Sequence, residues 1–298
     1  MTEATQAPFD DRDGWIWFDG KMVPWREAEV HVLTHALHYA SSVFEGQRAY
    51  NGEIFKLDEH TRRLHKSANL LGFELPWGVD EINQACKDVL KANKLVDAYM
   101  RPVAWRGPES IGVAPGNTKP HMAIAAWPWG KYYDPRKSES GIRLEIAPWR
   151  RPAPYTAPTQ SKASGLYMIC TLSRQHALDS GYEDALMFDW RGRVAEATGA
   201  NVLFVRDGQV HTPVPDCFLD GITRRTVMDL ARRRGIEVHE REIWPEELES
   251  FDEMFLAGTA VEITPVASVG PWEFEVGETT RQLSKDYDDL VNGRIPNA

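Results

Sequence analysis

The chain has little cysteine, no excess of basic charge and no long apolar run, and each shortage removes a class of function. Cys86, Cys170 and Cys217 are its only cysteines. They are far apart, odd in number and outside any C-x-x-C spacing, which excludes a disulfide framework and a zinc ribbon and leaves reduced, buried thiols as the expectation. Lys and Arg number 34 against 44 Asp and Glu, for a net charge of −10. Nucleic acids and anionic membranes demand clustered cations, so a small soluble substrate is expected instead. No apolar stretch approaches membrane-spanning length, and MTEATQAPFDDRDG is acidic where a signal peptide would be basic and then apolar. A cytoplasmic location is the resulting expectation. Repeats and low-complexity tracts are missing too.

What remains is a chain of 298 residues with ordinary globular composition, long enough for two domains. After a head expected to be disordered, GWIWFDGKMVPW reads as a hairpin turning at Asp19–Gly20, and SVFEGQRAYNGEIFKL as two strands around Asn51–Gly52. DEHTRRLHKSANLLGF and DEINQACKDVLKANKL have helical period, the first stopped by Gly72. AYMRPVAWRG and HMAIAAWPWG read as apolar strands, so up to about Gly130 the chain mixes strands and helices in an α+β pattern. GKYYDPRKSESG, 130–141, breaks all periodicity and reads as an interdomain loop. Residues 142–298 are strand-rich, with turns at Arg191–Gly192 and Asp207–Gly208, and with helices at LYMICTLSRQHALDSG and ITRRTVMDLARRRG. The fold class is α+β.

HVLTHALHY sets His31, His35 and His38 at i, i+4 and i+7, one face if the segment is helical. It lacks the adjacent Glu of H-E-x-x-H, so no metal is expected, and the histidines are assigned to backbone hydrogen bonds or packing. Lys162, in PTQSKASGLYMIC, sits among small residues before an apolar helix. Such a place can desolvate an amine toward a nucleophile and base, although a loop lysine is ordinarily solvated. In DGITRRTVMDLARRRG, Gly221 permits close approach and the N–H groups at Ile222 and Thr223 offer an anion site, unless Asp220 or Thr223 caps the helix. The Gly258–Thr259–Ala260 turn is either a second phosphate-facing turn or a tight connection. Arg62 and Arg63 are adjacent on one helix, so only one faces inward, where it needs a carboxylate or a phosphate. Glu196, at the end of a strand, is a surface carboxylate or a buried one paired with a cation.

In order and spacing, WFDGKMVPW, HALHYASSVFEG, EHTRRLH, YMRP, AAWPWGKY, SKASGLY, EATGAN, DGITR and GTAVEITPV together resemble the branched-chain amino acid aminotransferases, fold type IV enzymes of the class IV aminotransferases. The resemblance implies a small N-terminal α/β domain over residues 1–129, a larger C-terminal pseudo-barrel domain over residues 142–298, and pyridoxal 5'-phosphate as cofactor. It implies Lys162 as the catalytic, cofactor-linked lysine, Glu196 as the partner of the pyridine nitrogen and Tyr167 as the phenol on the ring oxygen. Arg63, Ile222, Thr223 and Thr259 would hold the phosphate. Tyr39, Phe44, Gly46, Arg48, Tyr99, Trp129 and Tyr132 would form substrate walls beside Tyr167, with Val113 lent by a neighbouring subunit of a homodimer or higher oligomer. Arg101, with Tyr39 and Tyr132, would take the side-chain carboxylate of glutamate, and Thr259–Ala260 the α-carboxylate. Leu, Ile and Val with 2-oxoglutarate, in ping-pong order, are the implied substrates. A D-amino acid or amine transaminase, a non-catalytic phosphate-binding protein and a histidine metalloenzyme are the rivals. Leu166, Ala197 and Ala200 depart from the family pattern, as does WEFEVGETTRQL, without removing a catalytic group.

Overall fold

The structure is a computed structural model describing residues 7–296. Two compact units divide the chain: residues 1–130 with 163–165, and residues 131–162 with 166–298. Their elements mix strands and helices in the α+β manner.

The first unit is a seven-stranded sheet. The long antiparallel pair Ala98–Arg106 and Pro120–Pro128 forms its middle, flanked on one side by the hairpin Trp15–Phe18 and Lys21–Pro24. On the other side lie Ser42–Phe44 and Gln47–Tyr50, both against Ala98–Arg106, with Glu53–Ile54 at the edge. Asp19 and Gly20 both take positive φ, as do Asn51 and Gly52. These are the conformations that let a two-residue loop follow the twist of its strands. Helices Leu57–Leu70 and Val79–Ala92 lay Leu64, Ala68, Ile82, Cys86 and Val89 into a core with Met100, Met122 and Ile124. Residues 1–6 of the expected disordered head lie outside the described residues. From Ala7 on, that expectation is corrected. Trp25 Nε1 donates to the Phe9 carbonyl at 2.5 Å, Phe9 meets Trp127 edge-on, and Arg26 binds Asp11 and Asp13.

The histidine segment is also corrected. Its helix spans only His35–Tyr39, because the chain turns at His31–Thr34, so the three imidazoles do not share a helical face. His35 bonds the Ser41 hydroxyl and the Gly112 carbonyl, His38 the Val32 carbonyl, and His31 accepts from the Leu33 N–H.

In the second unit, six strands close on themselves: Ile142–Ile146, Asp184–Phe188, Val194–Ala197, Asn201–Arg206, Glu253–Gly258 and Glu262–Val269. Closure spares the ring exposed edges. Its core includes Ile142, Leu144, Leu186, Val202, Phe204, Leu256 and Val266. Strands Gln209–Pro213 and Val238–Arg241 extend the sheet outward from Asn201–Arg206. Within the stretch expected to be an irregular loop, Lys137–Ser140 is a short helix, started where the Lys137 N–H reaches the Asp134 carbonyl. All three cysteines are buried and free.

Candidate active site

The ring of strands concentrates polar groups at one end. Glu196 pairs in register with Asn201, and Asn201 with Ala257, so the turn that follows Gly258 lies beside the turn that follows Glu196. A Cβ on Gly258 would touch Ala200. Ala200, where the sequence departs from the family pattern, is thus part of the packing that joins these turns.

Glu196 is held there at 13% exposure, 3.4 Å from Arg151 Nε, and it accepts from Asn201 Nδ2 at 3.2 Å. Burial pushes its carboxyl up to about 7, against the opposing pull of Arg151 and Lys162. The carboxylate is therefore buried with less compensation than a full ion pair provides. Lys162 is only partly exposed, and its Nζ donates to the Tyr167 hydroxyl at 2.7 Å. Tyr167 closes a short 3-10 turn, Ser164–Tyr167, that leads into the helix Met168–Asp179. The five-residue spacing from lysine to tyrosine thus becomes a hydrogen bond.

The helix Ile222–Arg233 begins at Gly221 with no side-chain cap. Asp220 does not cap it, because its carboxylate is taken by Arg224 and Arg225. Nor does Thr223. An uncapped N-terminus keeps its N–H groups for an anion. Gly221 is required on steric grounds, since a Cβ there would collide with the Asn201 side chain. Thr259 and Ala260 occupy the turn between Glu253–Gly258 and Glu262–Val269. Tyr132 has its hydroxyl bonded to Arg174, whose guanidinium also lies over the Tyr132 ring.

The first unit gathers a different set. The Arg101 guanidinium lies over the Phe44 ring at 4.6 Å and donates to the Tyr99 hydroxyl at 3.0 Å. Tyr99 meets the rings of Trp127 and Trp129 at 5.2 and 4.9 Å. Any side chain at Gly46 would collide with the Tyr99 phenol. Arg48 is buried on the strand beside Tyr99 and covers the Tyr50 ring. Buried Arg101 Nε has no hydrogen-bond partner among the described residues.

Of the two adjacent arginines, Arg62 stays outside on Asp58 and Arg63 turns inward. The anion it meets is Glu45: Nε and Nη2 bind the two carboxylate oxygens at 2.7 and 2.9 Å. His60 Nδ1 shares that carboxylate at 2.7 Å. Burial alone would raise the Glu45 carboxyl, but Arg63 and His60 outweigh it and hold it far below the usual range. Tyr39 packs on His35 and His38, and Val113 is 85% exposed.

A family model described as amino-transferase class IV matches residues 42–269. The chain belongs to that family. It is 40% identical to a branched-chain-amino-acid aminotransferase of Pseudomonas aeruginosa over 291 residues, 95% of each chain. Among solved structures, the branched-chain amino acid aminotransferase of Escherichia coli superposes with a TM-score of 0.92 at 39% identity, covering 96% of this chain and 97% of that one. The corresponding enzyme of Thermobaculum terrenum in its PLP form gives 0.87 at 34% identity, covering 95% of both.

In this aminotransferase, three groups that the motifs did not single out join the Lys162–Glu196 cluster. Arg151 is buried, and its Nη1 also reaches the Leu166 carbonyl and Cys170 Sγ at 3.4 and 3.5 Å. Asn201 ties Glu196 to the Leu219 carbonyl. Gln160, two residues before the lysine, binds the same loop. The only signal for Arg151 was its place in an Arg–Arg pair, the pattern that exposed Arg63. Among the described residues, no helix is long and apolar enough to cross a membrane.

Proposed function

We propose that this aminotransferase moves the amino group of Leu, Ile and Val to 2-oxoglutarate with pyridoxal 5'-phosphate, in ping-pong order. The observation that carries this proposal is the donor set of the second unit. An amine bonded to a phenol, an undercompensated buried carboxylate and an uncapped helix N-terminus fit, respectively, the aldehyde, the ring oxygen, the ring nitrogen and the phosphate of that cofactor. Arg151 at 3.4 Å compensates Glu196 only in part, and a protonated pyridine nitrogen would be a further cation for it. When bound, the cofactor supplies an electron sink conjugated to the substrate Cα.

The protein's own groups do the rest. Tyr167 orients Lys162 Nζ, which would act as the base that takes up the proton lost from the substrate Cα. Glu196 keeps the ring nitrogen protonated, and Arg151 with Asn201 holds Glu196 in place. The N–H groups of Ile222 and Thr223, with the Thr259 hydroxyl, bind phosphate; Arg63 is assigned to the same phosphate while Glu45 fixes its Nε and Nη2. Thr259 and Ala260 take the α-carboxylate. Arg101, whose buried Nε awaits an acceptor, takes the side-chain carboxylate of glutamate. Phe44, Gly46, Arg48, Tyr99, Trp129, Tyr39, Tyr132 and Tyr167 are assigned to the branched side chain, and Val113 to the site of a neighbouring subunit in a homodimer. Location in the cytoplasm belongs to the same proposal.

The test is optical. Protein purified with the cofactor should be yellow and should bleach when L-leucine is added. A colourless protein, or one that responds only to D-alanine or to a simple amine, would overturn the proposal.

A further inference from the structure

The segment Val214–Gly221, VPDCFLDG, runs from the strand Gln209–Pro213 to the helix at Ile222. It has no regular secondary structure, yet Cys217 and Phe218 are buried. Loops whose backbone leaves the surface need partners for their polar groups, and this one draws them from three segments. Gln160 Nε2 donates to the Pro215 and Phe218 carbonyls at 2.8 and 3.0 Å. Asn201 Nδ2 donates to the Leu219 carbonyl at 3.0 Å. Asp216 Oδ2 accepts from Arg191 Nη2 and Arg193 Nη2 at 2.5 and 2.9 Å, while Asp189 grips both arginines through their Nε atoms.

Each of these segments leads directly to a group of the active site. Gln160 precedes Lys162 by two residues, Arg191 and Arg193 precede Glu196 on the same hairpin, and Asn201 touches Glu196 itself. The loop in turn delivers the uncapped helix. We propose that Val214–Gly221 is a brace fixing the spacing between Lys162 and the anion-binding helix N-terminus, with Gln160 as a positioning residue for that anion site. Both N–H bonds of its amide are committed to loop carbonyls, so it sets where the loop, and hence the first turn of the helix, lies relative to the lysine. The proposal rests on the cofactor role proposed above.

It is tested on the full chain freed of cofactor, titrated separately with pyridoxal 5'-phosphate and with pyridoxal and followed by absorbance. Both ligands can engage Lys162, but only the first uses the anion site. Two lost hydrogen bonds predict about tenfold weaker pyridoxal 5'-phosphate binding in Gln160→Leu. A larger loss is expected in Gln160→Glu, which sets a carboxylate against two carbonyls, and pyridoxal affinity should be unchanged in both. Asp216→Asn, which weakens the opposite side of the loop, should show the same selective loss with a cooperative urea transition retained. Unchanged pyridoxal 5'-phosphate affinity in these variants, or equal losses for both ligands, would overturn the brace. A parent protein that binds neither ligand would overturn the cofactor role itself, and the brace with it.

Discussion

Glu45 in the first unit and Glu196 in the second are both largely enclosed, at 0% and 13% exposure, and the two are treated in opposite ways. Glu45 is enclosed with a bidentate arginine and a histidine on its oxygens, and its carboxyl stays ionised well below the usual range. Glu196 has one arginine at ion-pair distance, one amide, and a carboxyl pushed up to about 7 by its burial. The first charge is spent on the fold. The second is left short of a partner, which is costly unless a ligand supplies one, and such groups cluster where chemistry is done.

The sharpest way to break that contrast lies next to Glu196. Lys162→Ala removes the group assigned to move the proton, and turnover should fall by about 10⁴-fold or more. Steady-state assay with L-leucine measures it. Urea unfolding should show little change, since the Lys162 bond to Tyr167 spans only five residues of chain.

Glu45 should behave in the reverse manner. Glu45→Gln leaves the inward Arg63 and His60 without their shared anion, and breaking a buried pair from one side costs about 3–5 kcal/mol of stability. Chemical denaturation of the cofactor-free protein reads this directly. A loss below 1 kcal/mol would mean that the charge is not structural after all.

Acid and base separate the pair again. Glu196 has its pKa raised on folding, so between about 4.5 and 7 the folded chain holds a proton that the unfolded chain has released. Its contribution is most favourable below 4.5 and declines as pH rises through that window, by about 3 kcal/mol at most. Glu45 has its pKa lowered, so its contribution is present above the ordinary carboxylate range and is lost as pH falls toward its folded value. Glu196→Gln should therefore flatten the decline between pH 4.5 and 7 in cofactor-free protein, measured as the difference from the parent. An unchanged slope would place the titration elsewhere.

Local chemistry made much of this architecture readable. Asp19–Gly20, Asn51–Gly52 and Asp207–Gly208 all take the positive φ values that their residue types favour. The helix beginning at Ile222 ends beside Gly235, again at positive φ. Lys162, Tyr167 and Glu196 could be proposed because their motifs are local and ordered. What local pattern cannot carry is pairing over distance. Arg151 meets a carboxylate 45 residues away, Gln160 reaches a loop 55 residues on, and neither has a spacing to betray it. Arg63 shows the complementary limit. Its inward direction was legible, but the anion was not, because Glu45 sits on the far side of two strands in sequence and looks like any surface glutamate. The histidine face failed for a third reason: i, i+4, i+7 implies a face only if a helix exists, and the helix begins at the second histidine.

Arg101 completes the comparison from the other sign of charge. In the first unit, where the Glu45 carboxylate is fully paired, this guanidinium is one of the groups left short: it stacks on Phe44, donates to Tyr99, and keeps a buried Nε with no acceptor among the described residues. If that nitrogen serves a substrate carboxylate, Arg101→Met should keep an apolar contact with Phe44 while removing the charge and the hydrogen bond to Tyr99, and Tyr99→Phe, which removes that bond alone, serves as its control. A charge-assisted hydrogen bond is worth about 1.5–3 kcal/mol, so kcat/KM for glutamate and 2-oxoglutarate should fall about 10–100-fold while that for L-leucine holds. Equal losses would mean that Arg101 shapes the aromatic cluster instead of reading charge. The Arg101 charge would then be structural like that of Glu45, and the contrast with Glu196 would stand.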